Sequence, residues 1–129
     1  MNRLLWVLQI ILGLYFLAFG ILHFVVPEGL PDPLGWMYEL SDGLHLVSGV
    51  AEILGGVGLI LPAVTGIRPE LTVWAAAGLA VVMAGAAIWH AGRGEIFQIL
   101  LNLVNVAVLI FVAYGRARLA PLPGRAGMT

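Results

Sequence analysis

Hydrophobic and polar positions alternate on a coarse scale: four long apolar runs are separated by short polar breaks. The first runs from Leu4 to Val26 and is broken only by Gln9 and His23. At about 1.5 Å per residue it covers roughly 34 Å, enough for the hydrocarbon of a bilayer. A signal peptide has an apolar core of only about 7–15 residues followed by a small-residue cleavage site. No such site follows Val26, so the run reads as a membrane helix that is retained. The second run extends from about Leu44 to Leu61 and stops at Pro62. The third spans about Leu71 to Trp89, with Pro69 in a tolerated first-turn position, and the fourth about Ile96 to Tyr114. Backbone groups cannot stay unpaired in hydrocarbon, so runs of this length must be helices, and the short breaks make neighbours antiparallel. The pattern predicts an all-α fold: one domain over residues 1–118, an antiparallel bundle of four transmembrane helices (about 4–26, 44–61, 71–89 and 96–114).

The breaks carry their own signals. Pro27-Glu28-Gly29-Leu30-Pro31-Asp32-Pro33 follows the first helix, and Trp36, Met37 and Tyr38 then sit among acids. That stretch reads as a short interfacial helix between helices 1 and 2, with Trp36 and Tyr38 at headgroup level. His90-Ala91-Gly92-Arg93-Gly94-Glu95 separates helices 3 and 4, and residues 119–129, with Pro121, Pro123, Gly124 and Gly127, read as a disordered cytoplasmic tail. Arg3, Arg68, Arg116, Arg118 and Arg125 fall on one side of the bundle and only Arg93 on the other. By the positive-inside tendency both termini are expected in the cytoplasm, and the loop bearing Glu28, Asp32, Glu39 and Asp42 outside.

Composition agrees with this reading and narrows the chemistry. Apolar residues make up 61% of the 129-residue chain, charged residues 10%, and mean hydropathy is +1.04. A soluble domain has about 25% charged residues, so this surface must face lipid. A net charge of −1 offers no basic field for nucleic acid, and none is expected as a partner. The absence of cysteine excludes disulfides, iron–sulfur clusters and thiolate sites, and the absence of lysine excludes Schiff-base chemistry. Glycines seven residues apart (Gly13 and Gly20, Gly49 and Gly56, Gly78 and Gly85) have the spacing of close helix contacts in lipid.

Polar residues inside the runs are the candidates for function. Glu52 lies near the middle of helix 2, where an ionisable residue costs about 2.5–3.5 kcal/mol on insertion scales. It must face the bundle interior and be either neutral or paired. Gln9, Gly13, Phe16, Gly20 and His23 share one stripe of helix 1; His45, Gly49, Glu52 and Gly56 share one of helix 2; Gln98, Asn102 and Asn105 share one of helix 4. Counting inward, Glu52 and Asn105 reach similar depth, Asn102 is one turn shallower, and His23, His45, Gln98 and His90 lie nearer the outer surface. Three helices thus present polar faces converging on the outer half.

Three readings of this convergence stand side by side. In a structural reading, Glu52 is a neutral acid bonded to Asn105 or another amide, and the stripe fixes helix register. In a binding reading, Glu52, His23, His90, Asn105, Asn102, Gln98 and His45 line a pocket for the polar head of a lipophilic molecule such as a quinone. Its carbonyls and protons suit histidine and carboxyl groups. In a metal reading, His23, His45, His90 and Glu52 hold a divalent ion, although no two ligands have the spacing of a single-helix metal motif. Some members also have plainer roles: His45 wet at a helix start, His90 and Arg93 at a helix exit, Tyr15 and Trp74 as packing or interfacial anchors, and Glu95 favouring a helix dipole. No residue is assigned as catalytic, whether the protein is an enzyme is left open, and no covalent cofactor is expected.

The order of features resembles the DoxX and DoxX-like family of small four-helix bacterial membrane proteins. The resemblance rests on Gly13-Leu14-Tyr15-Phe16 with Gly20 and His23, on Ala51-Glu52-Ile53-Leu54-Gly55-Gly56 with Gly58 to Pro62, and on His90-Ala91-Gly92-Arg93-Gly94-Glu95 with the Asn102 helix ending near Arg116. It covers about Leu4 to Arg116. The family name comes from a subunit of a thiosulfate:quinone oxidoreductase, and members often carry lysine where this chain has His23. The resemblance implies a multi-pass protein of the bacterial cytoplasmic membrane that serves a redox system as an accessory subunit, with a quinone as its ligand and Glu52 and the His90–Glu95 stretch as site positions. A partner subunit or homo-oligomer is expected with it. The alternative is a structural or assembly subunit of a larger membrane complex with no ligand chemistry of its own.

Overall fold

In the computed structural model, which describes residues 1–128, the apolar runs form four helices: α1 Asn2–Val25, α2 Asp42–Thr65, α3 Glu70–Arg93 and α4 Ile96–Tyr114. Each is long and apolar enough to cross a membrane. A 3-10 segment, Asp32–Tyr38, lies between α1 and α2; a π turn, Gly115–Leu119, extends α4; a last 3-10 turn covers Arg125–Met128. The N-terminus, the α2–α3 turn and the end of the chain share one end of the bundle, here the terminal end, where the Arg125 N–H donates to Gly66 O at 2.8 Å. The α1–α2 segment and the α3–α4 turn share the other, the loop end. Residues 120–124 have no regular structure.

Two boundaries differ from the sequence expectation. Helix α2 does not stop at Pro62 but continues to Thr65. A proline in the last turn forgoes one backbone bond, and the gain beyond it offsets that: Ala63 is buried, and Gly66, at φ 69°, caps the helix by donating to Pro62 O. Helix α3 does not end at Trp89 but runs to Arg93, so His90 is a helical residue facing inward rather than part of a break. The stop signal is Gly94, at φ 71°, and not the earlier Gly92.

Packing follows small residues, as expected where water provides no drive between helices. α1 lies against α2, α2 against α3 and α3 against α4, whereas α1 and α4 touch sparsely. The α1–α2 seam is built on crossed glycine pairs. A Cβ at Gly56 would lie 2.8 Å from Gly13 O, and one at Gly49 would lie 3.1 Å from Gly20 O. Gly78 and Gly85 do not follow this pattern: a Cβ at either would meet no atom within 4 Å among the described residues. The glycines that face α3 are instead Gly55, against Leu79, and Gly58, against Ala75.

At the terminal end α1 and α4 are joined by a buried polar cluster. Gln9 Nε2 donates to Leu59 O at 2.8 Å, and its Oε1 accepts from Arg116 Nε. Arg116 also donates through Nη1 to Asn2 Oδ1 and Ala120 O. Arg116 is therefore a buried tie rather than a surface arginine, and among the described residues it has no carboxylate partner. Leu5 packs on Gly115 beside it. Toward the loop end the sparse α1–α4 contact leaves space inside the bundle.

Candidate functional site

That space is a cavity of about 490 Å³ walled by all four helices and by the segment between α1 and α2. Most of the wall is apolar, from residues such as Phe19, Val47, Met83, Phe97 and Leu101. Of its polar groups, His23 from α1, Glu52 from α2, and Gln98 and Asn102 from α4 belong to the stripes read in the sequence, whereas His90 from α3, Ser48 from α2 and Tyr15 from α1 do not. Asn105 and His45 do not line it.

Glu52 is 4% exposed, and its partner is not Asn105. His23 Nε2 approaches Glu52 Oε2 to 2.8 Å, while Asn105 Nδ2 donates to the Tyr15 hydroxyl at 3.4 Å. α2 and α4 are not packed neighbours, so similar depth would not by itself bring the two side chains together. Asn102 donates to Gln98 O within its own helix, and Gln98 Nε2 donates to Pro33 O at 2.8 Å. Tyr15, read as an anchor, is a wall residue of the cavity.

His23 also touches His45, Nδ1 to Nδ1, at 2.8 Å, and His45 Nε2 lies 2.8 Å from Met37 O. A carbonyl can only accept, so His45 Nε2 carries a hydrogen; the Nδ1 of the neutral ring is then an acceptor, and His23 Nδ1 must donate to it. This leaves His23 Nε2 facing Glu52 with one proton for the two groups, held either as carboxylic acid with neutral imidazole or as carboxylate with imidazolium. Either way the pair is neutral overall, so Glu52 is not left as an uncompensated buried charge. The approach is not an aligned hydrogen bond, and Oε2 has no hydrogen-bond partner among the described residues.

The loop end is covered rather than open. The Trp36 ring turns inward, 5.0 Å from the His90 ring and 6.0 Å from the His23 ring. The indole supplies a large apolar cover with its edge available to imidazole faces. Tyr38 stays exposed and braces the segment through bonds to Pro27 O and Leu30 N. Arg93 Nη2 donates to Glu39, Arg93 Nε donates to Glu95, and the arginine lies over the Trp89 ring at 4.8 Å. His90 Nδ1 is 3.2 Å from Glu95 Oε1. Arg93 and Glu95 are thus fasteners of the cover, beyond the capping and dipole roles read from sequence. Burial would raise the Glu95 carboxyl, but hydrogen bonds from Arg93 and His90 outweigh it and hold the group below the usual range.

Among the described residues, no three metal-type side chains are arranged to hold an ion. The metal reading needs His90 beside His23, His45 and Glu52, whereas His90 is engaged with Glu95 and the Trp36 ring.

Fold and site together define a multi-pass helical membrane protein with an apolar, polar-tipped cavity under a cover. The sequence model of the DoxX-like family matches residues 7–112, and the chain belongs to that family. Searches of curated proteins and of solved structures gave no significant match.

Proposed function

We propose that the cavity binds the polar head of a lipophilic molecule, a quinone or a compound of similar shape and polarity, and that the protein serves a membrane redox system as an accessory subunit. The observation that carries this is the buried Glu52–His23 pair, both members of which line a mostly apolar cavity. The volume of about 490 Å³ lies within the roughly 300–1,000 Å³ typical of small-molecule sites, as does the mixture of apolar wall and few polar groups. The donor set fits a quinone head: His90, Gln98 and Asn102 offer hydrogen bonds, and the Glu52–His23 pair can give or take a proton. A bound quinone would supply the electron chemistry, for which this chain has no centre of its own. The chain's residues hold the ring, exclude water and keep one proton beside it. The arginine distribution supports an orientation with both termini in the cytoplasm and the cover on the outer face of a bacterial cytoplasmic membrane.

The test is extraction and mass spectrometry of lipids retained by protein purified in mild detergent. Wild-type protein is expected to retain a quinone or similar prenyl lipid, and Glu52→Gln to retain several-fold less. Equal retention by both, or none by wild type, contradicts the proposal and favours an assembly subunit whose polar stripe only fixes helix register.

A further inference from the structure

His23 stands in the wall between two cavities. One is the main cavity just described; the other is a pocket of about 410 Å³ at the loop end, lined by His23, His45, Asp42 and Tyr38 among others. Asp42 and Tyr38 are exposed, so the second pocket reaches the aqueous face. Glu52 faces the first pocket, His45 faces the second, and His23 faces both. Two contacts of 2.8 Å connect the three side chains in that order.

We infer that Glu52, His23 and His45 form a one-proton relay between the membrane-embedded cavity and the aqueous pocket at the loop end. The inference rests on the ligand reading above only for its purpose: the group served is an ionisable hydroxyl on a lipophilic molecule in the main cavity. On the outward pass the Glu52 O–H bond breaks as an N–H bond forms at His23 Nε2. His23 Nδ1–H then breaks as N–H forms at His45 Nδ1. Finally His45 Nε2–H leaves Met37 O and is given to water in the second pocket. One proton has moved, no electrons have, and Glu52 is left as carboxylate, able to take the hydroxyl proton of the cavity molecule.

The same bonds define the return. After the outward pass, His45 Nε2 faces Met37 O as lone pair against lone pair, a repulsive arrangement. Uptake of a proton from water at Nε2 restores that bond and, while Glu52 is still a carboxylate, runs the sequence in reverse; once Glu52 has taken the hydroxyl proton of the cavity molecule, a further outward pass needs both imidazole rings to turn. Met37, whose side chain is buried, fixes the carbonyl that sets this direction. The alignment still required is at Glu52, where a turn of the carboxyl brings Oε2 into line with His23 Nε2. Other titratable groups face the relay from each side: Tyr15 from α1 and His90 from α3 across the main cavity, and Asp42 and Tyr38 across the second pocket. None of these lies between His23 and His45, which are in direct contact.

The experiment uses full-length protein with ¹⁵N-labelled histidine rings in lipid nanodiscs and bulk water as the probe. In wild type, a through-hydrogen-bond coupling between His23 Nδ1 and His45 Nδ1 is expected, and its absence overturns the relay without any variant being made. In His45→Phe, exchange of the His23 ring proton with water is expected to slow threefold or more at unchanged helix content; a smaller change, or acceleration, overturns it. Binding of decylubiquinone to the same variant separates the two proposals, because His45 does not line the main cavity. Unchanged exchange with retained binding removes the relay alone, whereas slowed exchange in a protein that never binds the quinone removes the ligand reading alone.

Discussion

His23 and Glu52, on the antiparallel neighbours α1 and α2, place Nε2 2.8 Å from Oε2 with side chains only 4% and 5% exposed. A carboxylate alone at this depth would be costly, and a salt bridge alone would be spent on structure. Both residues also line a cavity large enough for a ligand head, which is what the ligand proposal builds on.

The helix seam that holds this pair should be intolerant of a single methyl group. A Cβ at Gly56 would sit 2.8 Å from a backbone oxygen, which cannot rotate away. Gly56→Ala is expected to destabilise the protein by about 1–3 kcal/mol, the usual range for overpacking. Gly78→Ala, facing open space, is expected to be neutral or slightly stabilising, since alanine is the better helix former. Thermal unfolding in detergent compares the two; equal losses would contradict the crossed-glycine seam.

At the opposite end, Gln9 satisfies both Leu59 O and Arg116 Nε, and Arg116 Nη2 already has no hydrogen-bond partner among the described residues. Gln9→Leu keeps the volume but removes both bonds. Leaving buried polar groups unpaired costs about 1–3 kcal/mol, more where one is charged. A fall in thermal stability without loss of quinone retention is expected, because the cluster lies outside the cavity wall. Loss of retention at unchanged stability would contradict this separation of roles.

The cover should loosen in acid. Glu95 is held below the ordinary glutamate value, near pH 4.3. A carboxyl lowered in the folded state adds stability that is present in full above the unfolded value and lost as pH falls through the folded value. Wild type is therefore expected to be more stable than Glu95→Gln at pH 6–7, the two converging on acidification below about pH 4.3. Scanning unfolding temperature against pH checks this; a gap that widens in acid would reverse the sign and refute the assignment.

What the sequence disclosed follows from its physics. Bilayer thickness and the need to pair every backbone group specify four spans, and α4 falls at the expected Ile96–Tyr114. Helical periodicity placed Gln9, Gly13, Phe16, Gly20 and His23 on one buried stripe, which is their position in α1. Periodicity and depth fix height and face on each helix, but not which helices are neighbours. For that reason Asn105 was paired with Glu52, whereas it reaches Tyr15. The inward turn of Trp36 was illegible for another reason: it depends on bonds such as Gln98 to Pro33 and Arg93 to Glu39, 65 and 54 residues apart. Gly78 and Gly85 share the spacing of contact glycines, yet spacing alone does not say which face has a neighbour.

The central claim is that Glu52 meets a ligand's polar head, and replacing its carboxyl by an apolar group of similar size tests it most directly. Trp36 and Trp89 line the cavity, so their fluorescence reports occupancy during titration with decylubiquinone. Wild type is expected to show saturable quenching, and Glu52→Leu an affinity about tenfold weaker or more. That follows from the cost of leaving the ligand's buried polar group unpaired, about 1–3 kcal/mol, with each 1.4 kcal/mol a factor of about ten. Affinity unchanged or strengthened in Glu52→Leu, as a purely apolar site would give, would contradict the account.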